Sequence, residues 1–394
     1  MSDSLPSSPA ASLVQPISAG LLSAIVGFAS AFAIVLAGFT AVGATPAEAA
    51  SGLFAICLGL GLLSIAFGVG TRMPITIAWS TPGAALLIAT GAPAGGYPVA
   101  VGAFLVAAVL IVVAGIWRPF GRAVAAIPLS LAGAMLAGVL LELCLAPVHA
   151  VGALPTLALP VIIAWALALR FARRYAVPIA VVVTAVIVAV ATPLPPNALA
   201  DLAPHPVFVV PVFTLSAAVG IALPLFIVTM ASQNVPGLAV LAVNGYKPDV
   251  GPILIWTGLG SIATAFAGGH SLNLAAITAA LCAGPEADPN PARRWIASTA
   301  CGVAYLFIAC GATFATAFVT ASPPLLIEAV AGLALLGSLA SALTSALAHD
   351  EQRLPAVVTF VTTASGVSFF GIGAAFWGLI AGGALMAVLS LKGR

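Results

Sequence analysis

Two interrupted apolar stretches carry the polar residues best placed to do chemistry in this sequence. The first covers residues 73–85 (MPITIAWSTPGAA) and the second covers residues 268–278 (GGHSLNLAAIT). Each begins as a short extended run that holds polar residues, then continues into an apolar run too short to cross a bilayer as a helix. They lie roughly 194 residues apart in a chain of 394. Because interrupted segments at corresponding positions of two halves indicate a transporter's binding site, we expect both stretches to line one site.

Signals for a helix start follow the extended run in both stretches. In the first, Ser80 or Thr81 is a suitable N-cap, Pro82 suits the first turn, and Gly83 follows. In the second, Asn273 is a suitable cap for a helix that starts near residue 273 or 274. Helix starts present free backbone N–H groups and the positive end of the helix dipole. Two starts that meet at mid-membrane are therefore predicted to form an anion site without a basic side chain.

The extended runs need hydrogen-bond partners of their own. Extended backbone at this depth occurs only where it is buried in protein or lines a cavity, and the two runs could satisfy one another by pairing. An alternative interpretation is that Pro74 and Pro82 kink an ordinary helix. The second stretch lacks these prolines but keeps the Gly268-Gly269 break, which favours two interrupted segments.

A third polar cluster, Ser232-Gln233-Asn234, lies inside a long apolar segment at 213–241. Adjacent polar side chains are costly in a membrane helix unless they have partners. Gln233 and Asn234 offer both donors and acceptors, so they are predicted to line a substrate cavity. The alternative is that they hydrogen-bond to neighbouring helices.

His270 is the only histidine expected deep in the membrane, because the other three fall in predicted loops. A histidine there can take up a proton near neutral pH and offset a substrate's negative charge. It is therefore a candidate for both substrate binding and proton coupling, and the adjacent Ser271 is included in the predicted site. The alternative is a neutral imidazole that bonds only to backbone.

Two acids and one aromatic residue complete the candidates. Glu142 and Glu328 lie near the outer ends of their predicted spans and are candidates for a proton relay, or else solvated residues of the interface. The interrupted segments themselves contain no acid. Phe32, one turn after Phe28, is expected to give the site a flat apolar wall, unless both rings only pack in the core.

The composition requires an integral membrane protein. The chain is 62% hydrophobic and 6% charged, with a mean hydropathy of +1.23, whereas soluble domains carry roughly 25% charged residues. The apolar stretches have helix length, which excludes alternating barrel strands. The net charge of +2 does not favour nucleic-acid binding, and no cofactor is expected. The five cysteines and four histidines are dispersed, so no metal site is expected.

Apolar runs near 20 residues give about fourteen predicted spans. With the N-terminus in the cytoplasm, this count puts all twelve basic residues on the cytoplasmic side, as the positive-inside rule requires. Seven spans per half insert the second half upside down, which is an inverted repeat. Ala137–Leu141 (AGVLL) and Ala331–Leu335 (AGLAL) form a weak internal match at an offset of 194. The predicted fold is therefore all-α, with 14 transmembrane segments in a 7+7 inverted repeat and segments 3 and 10 broken into a short strand plus a half-helix.

Five motifs spread over nearly the whole chain closely resemble the BenE family of benzoate:proton symporters. They are Trp79–Leu86 (WSTPGAAL), Val228–Gly237 (VTMASQNVPG), Asn273–Ala280 (NLAAITAA), Gly284–Ala287 (GPEA) and Phe376–Gly383 (FWGLIAGG). The resemblance implies a branch of the nucleobase and ascorbate transporter fold, which often forms homodimers and divides into a core and a gate domain. The implied division is an N-terminal tail at 1–16, core parts at 17–120 and 207–321, and gate parts at 121–195 and 322–394.

One departure from the related fold bears on the substrate. Nucleobase symporters of this fold carry acids in segments 8 and 10, where this chain has Ser232-Gln233-Asn234 and the neighbourhood of His270. A carboxylate wall would repel an anion, so the change suits an anionic substrate. The resemblance thus implies proton-coupled import of benzoate or a related aromatic carboxylate through a bacterial-type inner membrane, with both termini cytoplasmic. The alternatives are a nucleobase or other small-anion carrier and an anion channel. An enzyme is not expected, because the sequence has no nucleophile–base pair.

Overall fold

The structure is a computed structural model. It describes residues 13–117, 119, 128–191, 203–276, 278–370 and 372–391. Several predicted features lie outside these residues: most of the N-terminal tail, the core–gate boundary near residue 120, and four of the basic residues used to orient the spans. Those four are Arg118, Arg122, Lys392 and Arg394.

The described chain is mostly helical. Its helices are α1 (Val14–Ala29), α2 (Phe32–Ala41), α3 (Pro46–Thr71), α4 (Thr81–Thr90), α5 (Tyr97–Ile116), α6 (Leu129–Ala153), α7 (Pro155–Phe171), α8 (Ala176–Ala191), α9 (Leu215–Val243), α10 (Val250–Ala265), α11 (Ala279–Ala283), α12 (Trp295–Ala309), α13 (Ala312–Ala321), α14 (Pro324–Ala346), α15 (Arg353–Ala364) and α16 (Ala374–Leu391). Two short strands join them, β1 (Ile77–Trp79) and β2 (Leu272–Leu274). Short 3₁₀ turns cover Arg173–Tyr175, Pro291–Arg293 and Asp350–Gln352.

Six helices of the described chain are long and apolar enough to cross a membrane, counting α1 and α2 together. A seventh span results if α12 and α13, which meet at an angle of 61°, count as one. Five shorter apolar helices of 10–17 residues are also present. A count of fourteen requires those five to cross as well, together with α15 and the β2–α11 unit, so it stays a prediction.

Close helix contacts occur where the sequence places glycine. A Cβ added at Gly302 of α12 would lie 2.7 Å from the Gly61 carbonyl of α3, and a Cβ at Gly61 would lie 2.8 Å from the Gly302 carbonyl. At Gly332 of α14, a Cβ would overlap the carbonyl of Leu143 in α6. Small residues let helix backbones approach each other in a membrane, where packing rather than the hydrophobic effect drives association.

The two strands pair in an antiparallel ladder at the centre of the structure. Ile77 faces Leu274, Ala78 faces Asn273, and Trp79 faces Leu272. The Ser80 N–H donates to the Ser271 carbonyl at 3.2 Å, and the Ala275 N–H donates to the Thr76 carbonyl at 2.9 Å, which extends the ladder at both ends. The pairing suggested by the sequence is therefore observed, and it joins the two interrupted stretches directly.

Side chains of three helices close the outer edges of this ladder. The Ile77 N–H donates to Ser64 Oγ of α3 at 3.0 Å, and the Leu272 N–H donates to Ser261 Oγ of α10 at 2.8 Å. The Leu274 N–H donates to Asn234 Oδ1 of α9 at 3.0 Å. All three acceptor side chains are buried. They meet the requirement that outward-facing backbone groups of buried strands find partners within the protein.

The serine bonds are arranged symmetrically in the two halves. Ser64 and Ser261 lie 197 positions apart, and the residues whose N–H groups they accept, Ile77 and Leu272, lie 195 positions apart. Each serine therefore reaches the strand that follows its own helix, 13 residues later in the first half and 11 in the second.

Candidate functional site

Ser80 links β1, α4 and α9. Its Oγ accepts the Gly83 N–H at 3.1 Å and the Thr229 hydroxyl at 2.9 Å, and its carbonyl accepts the Ala84 N–H at 2.8 Å. The predicted helix start near residues 81 and 82 is confirmed, and of the two predicted N-caps, Ser80 and Thr81, the structure uses Ser80. Ser80 is buried, and its own hydroxyl proton has no acceptor within the described residues.

The start of α4 has few N–H groups to offer an anion. Pro82 has no N–H, and those of Gly83 and Ala84 are already bonded to Ser80. Among the first-turn donors that the structure describes, only the Thr81 N–H is open. The prediction that this helix start offers several free N–H donors is therefore met only in part, because Ser80 already accepts two of them.

The second helix start is not where the sequence predicted it. Asn273 is not a cap: it lies in β2, paired with Ala78, and its Nδ2 donates to the Leu274 carbonyl at 2.8 Å. The helix α11 begins only at Ala279, spans five residues, and follows Thr278, which makes no side-chain cap. Pairing with β1 holds the chain extended through Leu274, and a helix of little more than one turn carries little dipole. The described residues therefore do not contain two opposed half-helices of similar length and dipole.

Polar atoms without partners cluster along β2. Ser271 Oγ and Asn273 Oδ1 are buried and make no hydrogen bond in the structure. Strand alternation puts both residues on the same face of the ladder as Ala78 and Ser80, opposite Trp79. Ala78 is the partly accessible residue of this face. Buried polar atoms nearly always find partners, so unpaired ones mark a place where water or a ligand binds.

The polar cluster of α9 divides into two roles. Residues Met230–Asn234 form a π turn, an irregularity frequent at functional sites. Asn234 is committed to β2 through its Oδ1, and its Nδ2 contacts Met230 Sδ at 3.3 Å. Gln233 is 5% exposed and its amide has no partner among the described residues. Ser232 is partly exposed beside it. Gln233 is therefore the member free to bind a ligand.

His270 lies in an aromatic box formed by Phe39, Tyr97 and Phe104. Its ring centroid is 5.5 Å from that of Phe39 and 6.5 Å from that of Phe104, and the Tyr97 hydroxyl donates to the nearby Gly268 carbonyl. His270 Nδ1 donates to the Ser271 carbonyl at 3.2 Å, and Nε2 is buried without a partner. Alternation along β2 places this ring on the face opposite Asn273. The box supplies no opposite charge for an imidazolium.

The two candidate acids lie elsewhere. Glu142 in the middle of α6 and Glu328 near the start of α14 are both exposed, whereas Ser80, Ser271 and Asn273 are buried. Glu142 follows Gly138 by one turn, and Gly138 packs against Thr363 near the end of α15. The structure does not bring either acid together with the unpaired polar atoms of β2.

An aromatic row runs from the break between α1 and α2 to α12. Phe28 and Phe32 stack with centroids 5.0 Å apart, and Phe28 lies 5.9 Å from Trp79, which in turn meets Tyr305 edge-on at 6.0 Å. Phe32 also lines a small apolar gap with Phe318 of α13 and Ile327 of α14. The sequence pointed to Phe32, but it gave no local signal for Tyr305, a single tyrosine in an ordinary apolar helix.

Comparison with known proteins gives a consistent result. Residues 10–388 match the profile of a family described as benzoate membrane transport protein, BenE. The chain is 39% identical over 373 residues to the inner membrane protein YdcO of Escherichia coli K12, covering 95% of both chains. It is 34% identical over 332 residues to the benzoate membrane transport protein of Acinetobacter baylyi, covering 84% of both. The murine Solute Carrier 26 family member A9 anion transporter in its inward-facing state shares the fold at 14% identity, with a TM-score of 0.63 over 98% of this chain and 69% of that one.

Proposed function

Since this chain belongs to the BenE family of benzoate membrane transport proteins, we propose that it imports benzoate or a closely related aromatic carboxylate together with a proton. The family consists of membrane transporters, so the protein is a transporter and not an enzyme. Its apolar helices and its relative in the inner membrane make it a multi-pass inner membrane protein.

The observation that carries the proposal is the buried face of the strand pair. On it, Ser271 and Asn273 hold polar atoms without partners, and Ser80 has a hydroxyl proton to donate. The carboxyl group of the substrate binds here, at the start of α4, near Thr81 and Gly83. We place the amide of Gln233 and the partly exposed Ser232 at the border of the same space, because the adjacent Asn234 bonds to the Leu274 N–H of β2. Phe28 lies beside Trp79, on the other face of the ladder, and stacks on Phe32, so the ring of the substrate reaches these two rings past the end of the strand pair.

The arrangement around this site is an inverted repeat of seven plus seven segments. Segments 1–4 and 8–11 (17–120 and 207–321) form the core domain that carries the strand pair. Segments 5–7 and 12–14 (121–195 and 322–394) form the gate domain. The matched serine bonds of the two halves support the repeat. The core moves against the gate to alternate access, both termini lie in the cytoplasm, and two chains associate as a homodimer.

The proposal is tested by uptake of radiolabelled benzoate into proteoliposomes that contain the full chain. An inward proton gradient is expected to drive accumulation above the external concentration, and a protonophore is expected to abolish it. Empty liposomes are the control, since benzoic acid crosses lipid unaided. Equal benzoate contents of the two kinds of vesicle would rule out benzoate import. Displacement by uracil or xanthine but not by benzoate would instead identify a nucleobase carrier.

A further inference from the structure

The site offers almost nothing to balance a buried negative charge. The elements packed against β2 are β1, α3, α10 and the π turn of α9. Their titratable side chains are Cys57 and Glu48 of α3, and the Glu48 carboxylate is engaged in the first turn of the helix, where it accepts the N–H and the hydroxyl of the N-cap Thr45. The arginine nearest to β1 along the chain, Arg72, is exposed and lies over the Trp295 ring, 4.2 Å from its centroid. After β2, Arg293 pairs with Asp288 at 3.5 Å, and Arg294 bonds to the Ala283 and Asp288 carbonyls at the far end of α11. An ionised carboxylate buried without a partner is very costly.

The other titratable groups near the strands are Cys282 of α11, Cys301 and Tyr305 of α12, and His270. Tyr305 meets Trp79 edge-on, and His270 lies in its aromatic box on the opposite face from Asn273. None of them supplies a positive charge to the face that holds Ser271 and Asn273. The cap at Ser80 also consumes most N–H donors of α4, which leaves only Thr81 from its first turn.

The unpaired atoms include an acceptor that an anion cannot use. Asn273 Nδ2 is fixed to the Leu274 carbonyl, so the free atom of this side chain is Oδ1, which only accepts hydrogen bonds. A carboxylate also only accepts, and two acceptors repel each other. A neutral carboxylic acid carries one O–H donor and one carbonyl acceptor. Its O–H suits Asn273 Oδ1, and its carbonyl suits the hydroxyl protons of Ser80 and Ser271.

We propose that the substrate binds as the neutral carboxylic acid, and that the coupled proton crosses the membrane on the substrate's own carboxyl group. This inference rests on the proposed function. The benzoate carboxylate takes one proton from the outer solution, donates it as a hydrogen bond to Asn273 Oδ1 while bound, and loses it to water after release inside. One proton moves with each substrate and no protein group changes its protonation state. Burial favours the uncharged form of a carboxyl group, which is the required direction.

Infrared difference spectroscopy on the full-length protein in lipid tests this directly. Benzoate labelled with ¹³C at the carboxyl carbon is added to the reconstituted wild-type protein at a pH where free benzoate is ionised. The expected result is an isotope-sensitive carbonyl stretching band of a protonated acid. An isotope-sensitive carboxylate band from the bound ligand would overturn the inference and leave benzoate transport intact. The absence of any bound-ligand band would overturn this inference together with the proposed function.

Two analogues and one variant give an independent test. Benzamide is neutral and offers both an N–H donor and a carbonyl, whereas benzenesulfonate stays anionic throughout the assay range. Benzamide is expected to compete with benzoate and benzenesulfonate is not. Competition by benzenesulfonate equal to or stronger than that of benzamide would overturn the inference.

The variant Asn273→Ala is expected to weaken benzoate and benzamide alike by about tenfold, which corresponds to about 1.4 kcal/mol. Asn244→Ala is the matched control, because Asn244 Nδ2 donates to the Val240 carbonyl of its own helix at 2.9 Å, away from the strands. If Asn273→Ala lost benzoate binding but kept benzamide binding, Asn273 would serve an anion and the inference would fail. Should the variant misfold, the spectrum of the wild-type protein still decides.

Discussion

The two strand–helix units have the same topology but differ in how their polar groups are used. In the first unit, Ser80 caps a ten-residue helix and accepts three hydrogen bonds through its hydroxyl and carbonyl oxygens. In the second, a five-residue helix has no side-chain cap, and the unpaired atoms of Ser271, Asn273 and His270 lie on or beside its strand, whereas the first unit has one such atom, Thr76 Oγ1. The difference teaches that a repeated fold does not distribute function equally. The polar groups of the first unit mainly stabilise the fold through Ser80, and the second unit carries most of the unpaired polar atoms that could bind a ligand.

The largest effect is expected from removing the cap of the first unit. Ser80→Ala leaves the Gly83 N–H and the Thr229 hydroxyl without acceptors, which costs roughly 2–4 kcal/mol of unfolding free energy when a lost cap and a buried unpaired group are combined. Uptake is expected to fall with it. Thermal unfolding of the purified protein in detergent measures the loss. Ser271→Ala is the matched control, since its hydroxyl has no partner to lose. It should lower benzoate uptake but leave stability unchanged, and equal destabilisation by both variants would contradict the comparison.

A smaller and symmetric effect is expected at the ladder edges. Ser64→Ala and Ser261→Ala each strip an acceptor from one strand N–H, so each is expected to cost about 1–3 kcal/mol of unfolding free energy. Hydrogen exchange followed by mass spectrometry should show faster exchange in the peptide that contains Ile77 or Leu272, respectively. Ser298→Ala is the control, because Ser298 is equally buried but bonds only within its own helix. If only one of the two variants were destabilised, the serine hydrogen bonds of the two halves would not contribute equally to stability.

The smallest effect is expected at the titratable side chains. His270→Phe keeps an aromatic ring in the box, and the pH dependence of benzoate uptake is expected to match that of the wild type. Glu142→Gln and Glu328→Gln, at exposed positions, should behave the same way. Uptake measured across a series of external pH values decides. A pH profile that flattens in any of the three variants would assign proton transport to that side chain.

The sequence was informative where structure depends on neighbouring residues. The Ser80-Thr81-Pro82 start of α4 was predictable because a cap and a first-turn proline act within four residues. Asn273 carries the same kind of signal, yet it lies in a strand, because pairing with Ala78 outweighs a local capping preference. The roles of Ser64 and Ser261 had no such signal. A serine in an apolar helix looks the same whether it bonds to its own turn or to a distant strand.

The sequence predicted which residues belong to the site, but it did not predict which of them bind the ligand and which hold the strands in place. Gln233 and Asn234 are adjacent and chemically similar, so sequence alone gives them one role. The π turn directs them differently, and Asn234 is taken up by the Leu274 N–H while Gln233 stays free. His270 was singled out because histidine is rare in a membrane. The aromatic rings around it come from α2 and α5, and no pattern within its own segment predicts them.

The ladder between β1 and β2 also constrains how the protein is made. Ile77 is synthesised 197 residues before its partner Leu274. At roughly 5–20 residues per second, the first strand waits for about 10–40 s before its partner leaves the ribosome. During that interval its inner backbone groups have no strand to bond with, at a depth where lipid offers none. The first half must therefore be inserted in a provisional form, sheltered by the translocation machinery or by water, and it reaches its final state only when the second half arrives.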